Sequence, residues 1–308
     1  MLERSAWLTG KHFALGAKLT NKREIINSQP APGSVWRSNL TNMTTPTTIR
    51  HDLTNAEYHA SPAISKSGLD LIRKAPALYA YRRDNPTEQT PAMRLGSLTH
   101  TVVLEPEVFA HSVIARPEGI DRRTSAGKAD WAAFEIQAEG REIITGEEGA
   151  KLAAIRDAVR SHPAAAKALA GQPTIEQSIF WGADGIECRC RPDAVTEKGV
   201  IVDLKTTRDA SPEGFAKSIA QYRYHVQAAF YSDGYRAAFG EAPRGFVFVA
   251  VETEAPYLVA VYVASEAMTQ RGRIEYQGDL ETFRWCRDHN DWPGYSGHPL
   301  TIDLPKWA

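Results

Sequence analysis

An aspartate and a lysine two residues apart, Asp203 and Lys205, sit in the apolar run VIVDLKTT at residues 200–207. On a β-strand side chains alternate between faces, so these two share one face, about 7 Å apart along the backbone, while Val202 and Leu204 turn the other way into a core. A carboxylate can hold a hard cation, and an ammonium beside it can orient or stabilise a water. Such a pair needs a second acid. Asp193, ten residues upstream across the short turn Glu197-Lys198-Gly199, supplies it. Residues equidistant from a hairpin turn lie side by side, so both aspartates can converge on one ion. Pro192 is poor inside a central strand and marks a bulge or strand end, a place where a ligand side chain can be aimed. Asp193 and Lys205 would equally make an ordinary cross-strand ion pair, which is common and contributes little. The specific feature is the whole arrangement: R-P-D and, ten residues on from its aspartate, D-x-K within one hairpin.

The elements that must carry these residues follow from periodicity and breakers. Segments TIEQSIFWG, GIECRCRPDAVTE and GVIVDLKTT, separated by the turn-like ADG and EKG, predict a three-stranded antiparallel meander after Pro173. A long helix is expected from Pro212 to Phe239, then strands at GFVFVAVE and YLVAVYVA, then a helix from Ser265 to His289. Upstream, Ser residues ahead of Leu69 and Ile72 predict an N-capped helix ending near Pro76. MRLGSLTHTVVLEP reads as a buried helix stopped by Pro106, and 107–126 as an irregular charged loop. Two more helices are expected near 127–139 and 147–160. This order gives an α/β core with a mixed sheet flanked by helices, and a helical portion N-terminal to it. Residues 1–48, rich in Gly, Asn, Ser, Thr and Pro, read as a loose extension before the domain at 49–308, with order beginning near Leu53 and Met43 an alternative start.

Composition narrows the partners without choosing one. Hydrophobic residues at 43% and charged residues at 24% suit a globular protein with a sizeable core. Lys plus Arg, 36, nearly cancel Asp plus Glu, 37, so nucleic-acid binding would have to come from a local basic surface. No apolar run approaches the roughly 20 residues that span a bilayer, and the N-terminus lacks the apolar core of a secretory signal; a cytoplasmic location without a membrane partner is the expectation. Three cysteines are too few for a disulfide scaffold or a four-cysteine metal site, and Cys188 and Cys190 read as small apolar fillers on one strand face.

Here the sequence resembles the PD-(D/E)XK nuclease superfamily, with Pro192-Asp193 and Asp203-Leu204-Lys205 at the defining positions. Gly96-Ser97-Leu98-Thr99-His100 is similar to the GxxxH helix motif of RecB-type nucleases, and Gln227-Ala228-Ala229-Phe230-Tyr231 to their QxxxY motif. YHASPAISKSGL (58–69), LTHTVVLEPEVF (98–109) and TIDLPKWA (301–308) resemble the nuclease domain of RecE-type exonucleases, so the likeness runs from Leu53 to Ala308.

The resemblance implies a restriction-endonuclease-like core and a Mg²⁺-dependent 5′ to 3′ exonuclease of linear duplex DNA, with Mn²⁺ able to substitute. It also implies a homo-oligomeric ring and a single-strand annealing, RecT-like partner in recombination, repair or a phage-like pathway. By matched motif, His100, Asp193 and Asp203 are metal ligands, the Leu204 carbonyl joins them, Lys205 positions water or stabilises the phosphate, and Gln227 and Tyr231 hold nucleic acid or orient Lys205.

Plain alternatives stand beside these readings. His100 fits a satisfied core histidine. Gln227 and Tyr231, four apart and in one stripe with Tyr224 and Tyr235, fit half-buried packing. Ser65, Lys66 and Ser67 fit either a phosphate-binding helix start or simple capping. Arg94, Arg189, Arg191 and Arg208 can track a DNA backbone or be plain surface charges. Glu105 and Glu176 are further acids, the first also readable as a helix end and the second as an exposed strand residue. A structure-specific endonuclease and a catalytically silent DNA-end-binding module are the competing functions; the absence of a GxxxxGK[ST] motif leaves no P-loop motor in the chain.

Overall fold

The computed structural model describes residues 46–304. It begins with β1 (Thr48–Arg50), α1 (Asn55–Ala60), α2 (Lys66–Lys74), α3 (Pro76–Asp84) and α4 (Pro91–Leu104). Then come α5 (Pro106–Ser112), β2 (Val113–Ala115), α6 (Ser125–Gln137), β3 (Glu142–Ile144), α7 (Gly146–Ser161) and α8 (Pro163–Ala168). The strand region follows as β4 (Thr174–Ile175), β5 (Ser178–Ala183), β6 (Ile186–Cys190), β7 (Ala194–Val195) and β8 (Val200–Thr207). The chain continues through α9 (Pro212–Gln221), α10 (Tyr224–Phe239), β9 (Gly245–Glu252), β10 (Val259–Val263) and α11 (Glu266–His289). The expected extension lies outside the described residues except for its last three, of which Thr48 already pairs in β1, ahead of Leu53.

The central five-stranded sheet has the order β10-β9-β8-β7-β4. β8 and β9 are parallel, joined by the α9–α10 crossover, and every other pairing is antiparallel. This is the mixed α/β sheet that the element order predicts. A second, antiparallel sheet has the order β1-β5-β6, and β2 pairs with β3 in parallel.

The expected three-stranded meander is corrected. Its first and second strands each break and change sheets: β4 pairs with β7 in the large sheet, while β5 pairs with β6 in the small one. The breaks have local causes. Glu176, between β4 and β5, has φ 50°, a left-handed backbone that no ladder continues through. Pro192, between β6 and β7, has no N–H to give a ladder. The two crossing points are tied together, because the Glu176 N–H donates to the Asp193 carbonyl at 3.2 Å.

Other boundaries shift for equally plain reasons. Pro76 and Pro106 open α3 and α5 rather than merely ending the helices before them, since proline at the first helical turn loses no bond the helix would use. Residues 107–126 therefore hold a helix and a short strand, not only an irregular loop. The helix expected over 212–239 is two helices, broken where Arg223 takes φ 53°.

Alternation on β8 divides the core. Val202 and Leu204 pack with Leu98, Val102, Leu152 and Ile155 from α4 and α7. Ile201, on the opposite face, packs with Phe246, Phe248, Phe215 and Ala228. A third cluster buries Cys188 and Cys190 with Ile179, Phe230 and Leu280, so the cysteines are apolar filling as expected. Both faces of β8 are covered, and Asp203 and Lys205 lie on the face that receives α10.

Candidate active site

The site forms at the seam where the strands change sheets. Asp203 is completely buried on β8. Its Oδ1 accepts a hydrogen bond from Gln227 Nε2 at 2.6 Å, and its Oδ2 lies 2.5 Å from Lys205 Nζ. That contact is close in charge, but Oδ2 has no aligned hydrogen-bond donor. Asp193 follows Pro192, and its Oδ2 accepts from the Leu204 N–H at 2.7 Å, which locks the carboxylate onto β8. His100, on α4, places Nδ1 3.6 Å from the same Asp193 oxygen. The kink at Glu176 turns its carboxylate toward this pair. One ligand atom from each of His100, Glu176 and Asp193 lies within 4.8 Å of the others.

Electrostatics reflects the crowding. Burial and then the Asp193 charge push the Glu176 carboxyl up to about 8, with Arg191 opposing. Burial raises Asp203 to about 6, with Asp193 adding to the rise and Lys205 restraining it. Burial pulls the Lys205 ammonium down, but the Asp203 and Asp193 charges outweigh it and hold the ammonium above its usual range. The donor chemistry fits a divalent metal ion. Within the cluster two carboxylates and an imidazole offer hard and borderline ligands, and Asp203, already held by Gln227 and Lys205, stands beside them.

Several expected site residues do come together here: His100, Asp193, Asp203, Lys205 and Gln227. Leu204 contributes its N–H to Asp193. Tyr231, one turn beyond Gln227, packs between the core clusters with its hydroxyl held neutral, first by burial and then by neighbouring Tyr58 and Cys190. Tyr224 covers Lys205, with Nζ 4.8 Å from its ring centroid. Tyr235 instead stacks on Phe239 at the far end of α10.

The arginines are placed differently from the backbone-tracking expectation. Arg94 pairs with Glu142 and Glu148 and donates to the Ile143 carbonyl. Arg189 donates to the Tyr58, His59 and Ser61 carbonyls, closing the end of α1. Arg191 stacks on Tyr58 and donates to Ser178 and the Leu53 carbonyl. Protein acceptors from distant parts of the chain occupy their donors. Arg208 is exposed just past β8. Ser65 caps α2 by accepting from the Gly68 N–H, and its hydroxyl pairs with that of Ser67. Lys66 reaches Asp70 and the Tyr222 carbonyl. Glu105 is the cap position between α4 and α5.

Sequence reasoning undervalued Glu176. The sequence leaves it open between a further acid and an exposed strand residue, and its left-handed backbone aims it into the site. The signal that could have found it is the broken alternation of TIEQSIF, where Glu176-Gln177 interrupts the apolar rhythm.

A family model described as a PDDEXK-like domain of unknown function (DUF3799) matches residues 65–304. No curated protein matches the sequence. Among solved structures, a crystal structure from Eubacterium rectale whose description reads "Putative exonuclease" aligns with a TM-score of 0.54 at 15% identity, covering 81% of this chain and 96% of that one. That likeness extends to the fold, a mixed sheet with flanking helices. No helix among the described residues is long and apolar enough to cross a membrane.

Proposed function

Because the chain belongs to the PDDEXK-like family DUF3799, we propose that it is a metal-dependent deoxyribonuclease, an exonuclease that hydrolyses linear duplex DNA from 5′ to 3′ and leaves 3′ single-stranded tails. The observation that carries the reading is the convergence of His100, Glu176 and Asp193 within 4.8 Å, beside a buried Asp203–Lys205 pair. Magnesium, with manganese able to substitute, is the cation that this oxygen-rich set would take.

His100, Glu176, Asp193 and Asp203 would hold it, with the Leu204 backbone as a further ligand. A bound divalent ion lowers the pKa of its water and neutralises charge on the scissile phosphate. The chain's own groups do the positioning. The Leu204 N–H fixes Asp193, Gln227 fixes Asp203, and Asp203 with the Tyr224 ring holds the Lys205 ammonium where it can orient the attacking water or meet charge building on the phosphate.

The 5′ to 3′ direction, a homo-oligomeric ring around duplex DNA and a single-strand annealing partner rest on the resemblance to RecE-type exonucleases, as does a role in recombination or repair.

The test is incubation of the purified protein with end-labelled linear duplex and with a closed circle, with Mg²⁺ and with EDTA. Early release of a 5′ label with the circle intact is the expected result. Cutting of the circle overturns exonuclease action in favour of an endonuclease, and activity that persists in EDTA overturns the metal mechanism.

A further inference from the structure

Tyr222 ends α9 and is 53% exposed, one ring removed from Lys205. Its placement is held from three sides. Its carbonyl accepts Lys66 Nζ at 2.5 Å. The following residue, Arg223, is locked in a left-handed turn by Asp70 at 3.0 Å and Asp279 at 2.6 Å. The Tyr222 ring stacks on Tyr224, centroids 5.6 Å apart and planes 29° from parallel. The inner ring of this pair lies 4.8 Å from Lys205 Nζ and 5.8 Å from Lys66 Nζ. An aromatic stack thus runs from the buried ammonium to the exposed Tyr222.

We propose that Tyr222 is a stacking platform for an unpaired nucleobase of the strand being cleaved. The inference rests on the nuclease reading and adds a base-binding subsite to it. Lys205 Nζ lies 4.8 Å from the Tyr224 ring and that ring 5.6 Å from Tyr222, so a strand whose phosphate meets Lys205 can bring a neighbouring base to the outer ring. Every base has a π-face, so such a platform reads no sequence, which suits an enzyme that must accept each nucleotide in turn. It does require the base to leave its pair, so it favours a strand end already separated from its complement. Lys66, spent on Asp70 and the Tyr222 carbonyl, braces the platform.

Two measurements on the full chain test it. In the first, a DNA end carrying 2-aminopurine is bound in EDTA, where no cleavage is expected, and its fluorescence is read. Stacking should quench the probe with the wild-type protein and with Tyr222→Phe or Tyr222→Trp, and the quench should vanish with Tyr222→Ala. A quench unchanged in Tyr222→Ala overturns the platform.

In the second, single-turnover cleavage with Mg²⁺ compares intact duplex with duplexes lacking one base at successive positions near the end. Tyr222→Ala should slow the intact substrate about tenfold, the effect expected for one base–aromatic stack. At one position the missing base should slow wild type about as much and the variant no further. Equal slowing of both proteins by the missing base overturns the platform while leaving the nuclease intact. A wild-type protein that quenches the probe yet cuts nothing keeps the platform and removes the nuclease reading.

Discussion

Charge clusters flank α10 on both sides, and the two sides are balanced in opposite ways. Where α10 packs on α11, Asp233 accepts from Arg273 Nε and Nη2, from Arg236 and from the Tyr276 hydroxyl. At the N-terminal end of the same helix, Arg223 joins Asp70, Glu275 and Asp279, and His225 Nε2 donates to Glu275. Each carboxylate there has a cation with matched geometry. At the strand seam, Glu176, Asp193 and Asp203 crowd together with Lys205 on Asp203 and Arg191 3.8 Å from Glu176, and the Glu176 carboxyl is still pushed up to about 8. Buried charge is costly unless paired. A satisfied cluster therefore holds helices together, whereas a surplus of carboxylates is a cost that a cation would relieve.

The largest expected effect comes from removing the pair at the seam. Asp203→Asn or Lys205→Met should reduce cleavage by about 10²–10³-fold or more, the scale for losing a group that stabilises charge in a transition state. Circular dichroism should show the fold retained. Retained activity would mean that the seam is not the active site.

The converse substitution is Arg223→Ala in the balanced cluster. It leaves the nearly buried Asp279 without its cation and should lower the unfolding free energy by about 3–5 kcal/mol, read by chemical denaturation. A loss well under 1 kcal/mol would show that this cluster is not a structural tie.

pH separates the two clusters further. Glu176 at about 8 and Asp203 at about 6 keep protons that the unfolded chain has already lost above the ordinary carboxylate range. Without metal, stability should therefore be greatest near pH 4–5 and fall as pH climbs through about 6 and 8. Asp279, raised to about 6 by burial against the pull of Arg223, adds to the same fall. Mg²⁺ or Mn²⁺ should raise the melting temperature more at pH 8 than at pH 5, because the ion replaces the proton at the seam and leaves the Asp279 contribution untouched. Equal metal shifts at both pH values would place the ion elsewhere.

The smallest effect concerns the first residue of the GxxxH match. A Cβ at Gly96 would meet only Thr206 Oγ1, at 3.8 Å, an ordinary contact. Gly96→Ala should keep the melting temperature or raise it slightly, with a helix-propensity gain of up to about 1 kcal/mol. By contrast, a Cβ at Gly272 would fall 2.0 Å from the His225 carbonyl oxygen, so closeness of backbones demands glycine there and not at position 96.

Much of this was readable in the chain because it is written in short-range pattern. Alternation in VIVDLKTT put Asp203 and Lys205 on one face, the turn at Gly199 returned Asp193 beside them, and Gln227 and Tyr231 shared a helix stripe. The mixed α/β sheet followed from element order. Local pattern could not say that the strand carrying Pro192 would change sheets, because a proline marks a break without naming the next partner. It could not distinguish Arg94, Arg189 and Arg191 from DNA-tracking arginines, since their acceptors lie on other elements.

Sequence alone determined which groups can do chemistry and which of them share a face, because β and α periods are properties of neighbouring residues. Only the tertiary structure decided that Glu176 joins the site, that Gln227 holds Asp203, and that Tyr222 stands open at its edge. Those placements depend on a left-handed kink, a sheet crossing and a turn pinned by Arg223, where distant parts of the chain overrule the local period.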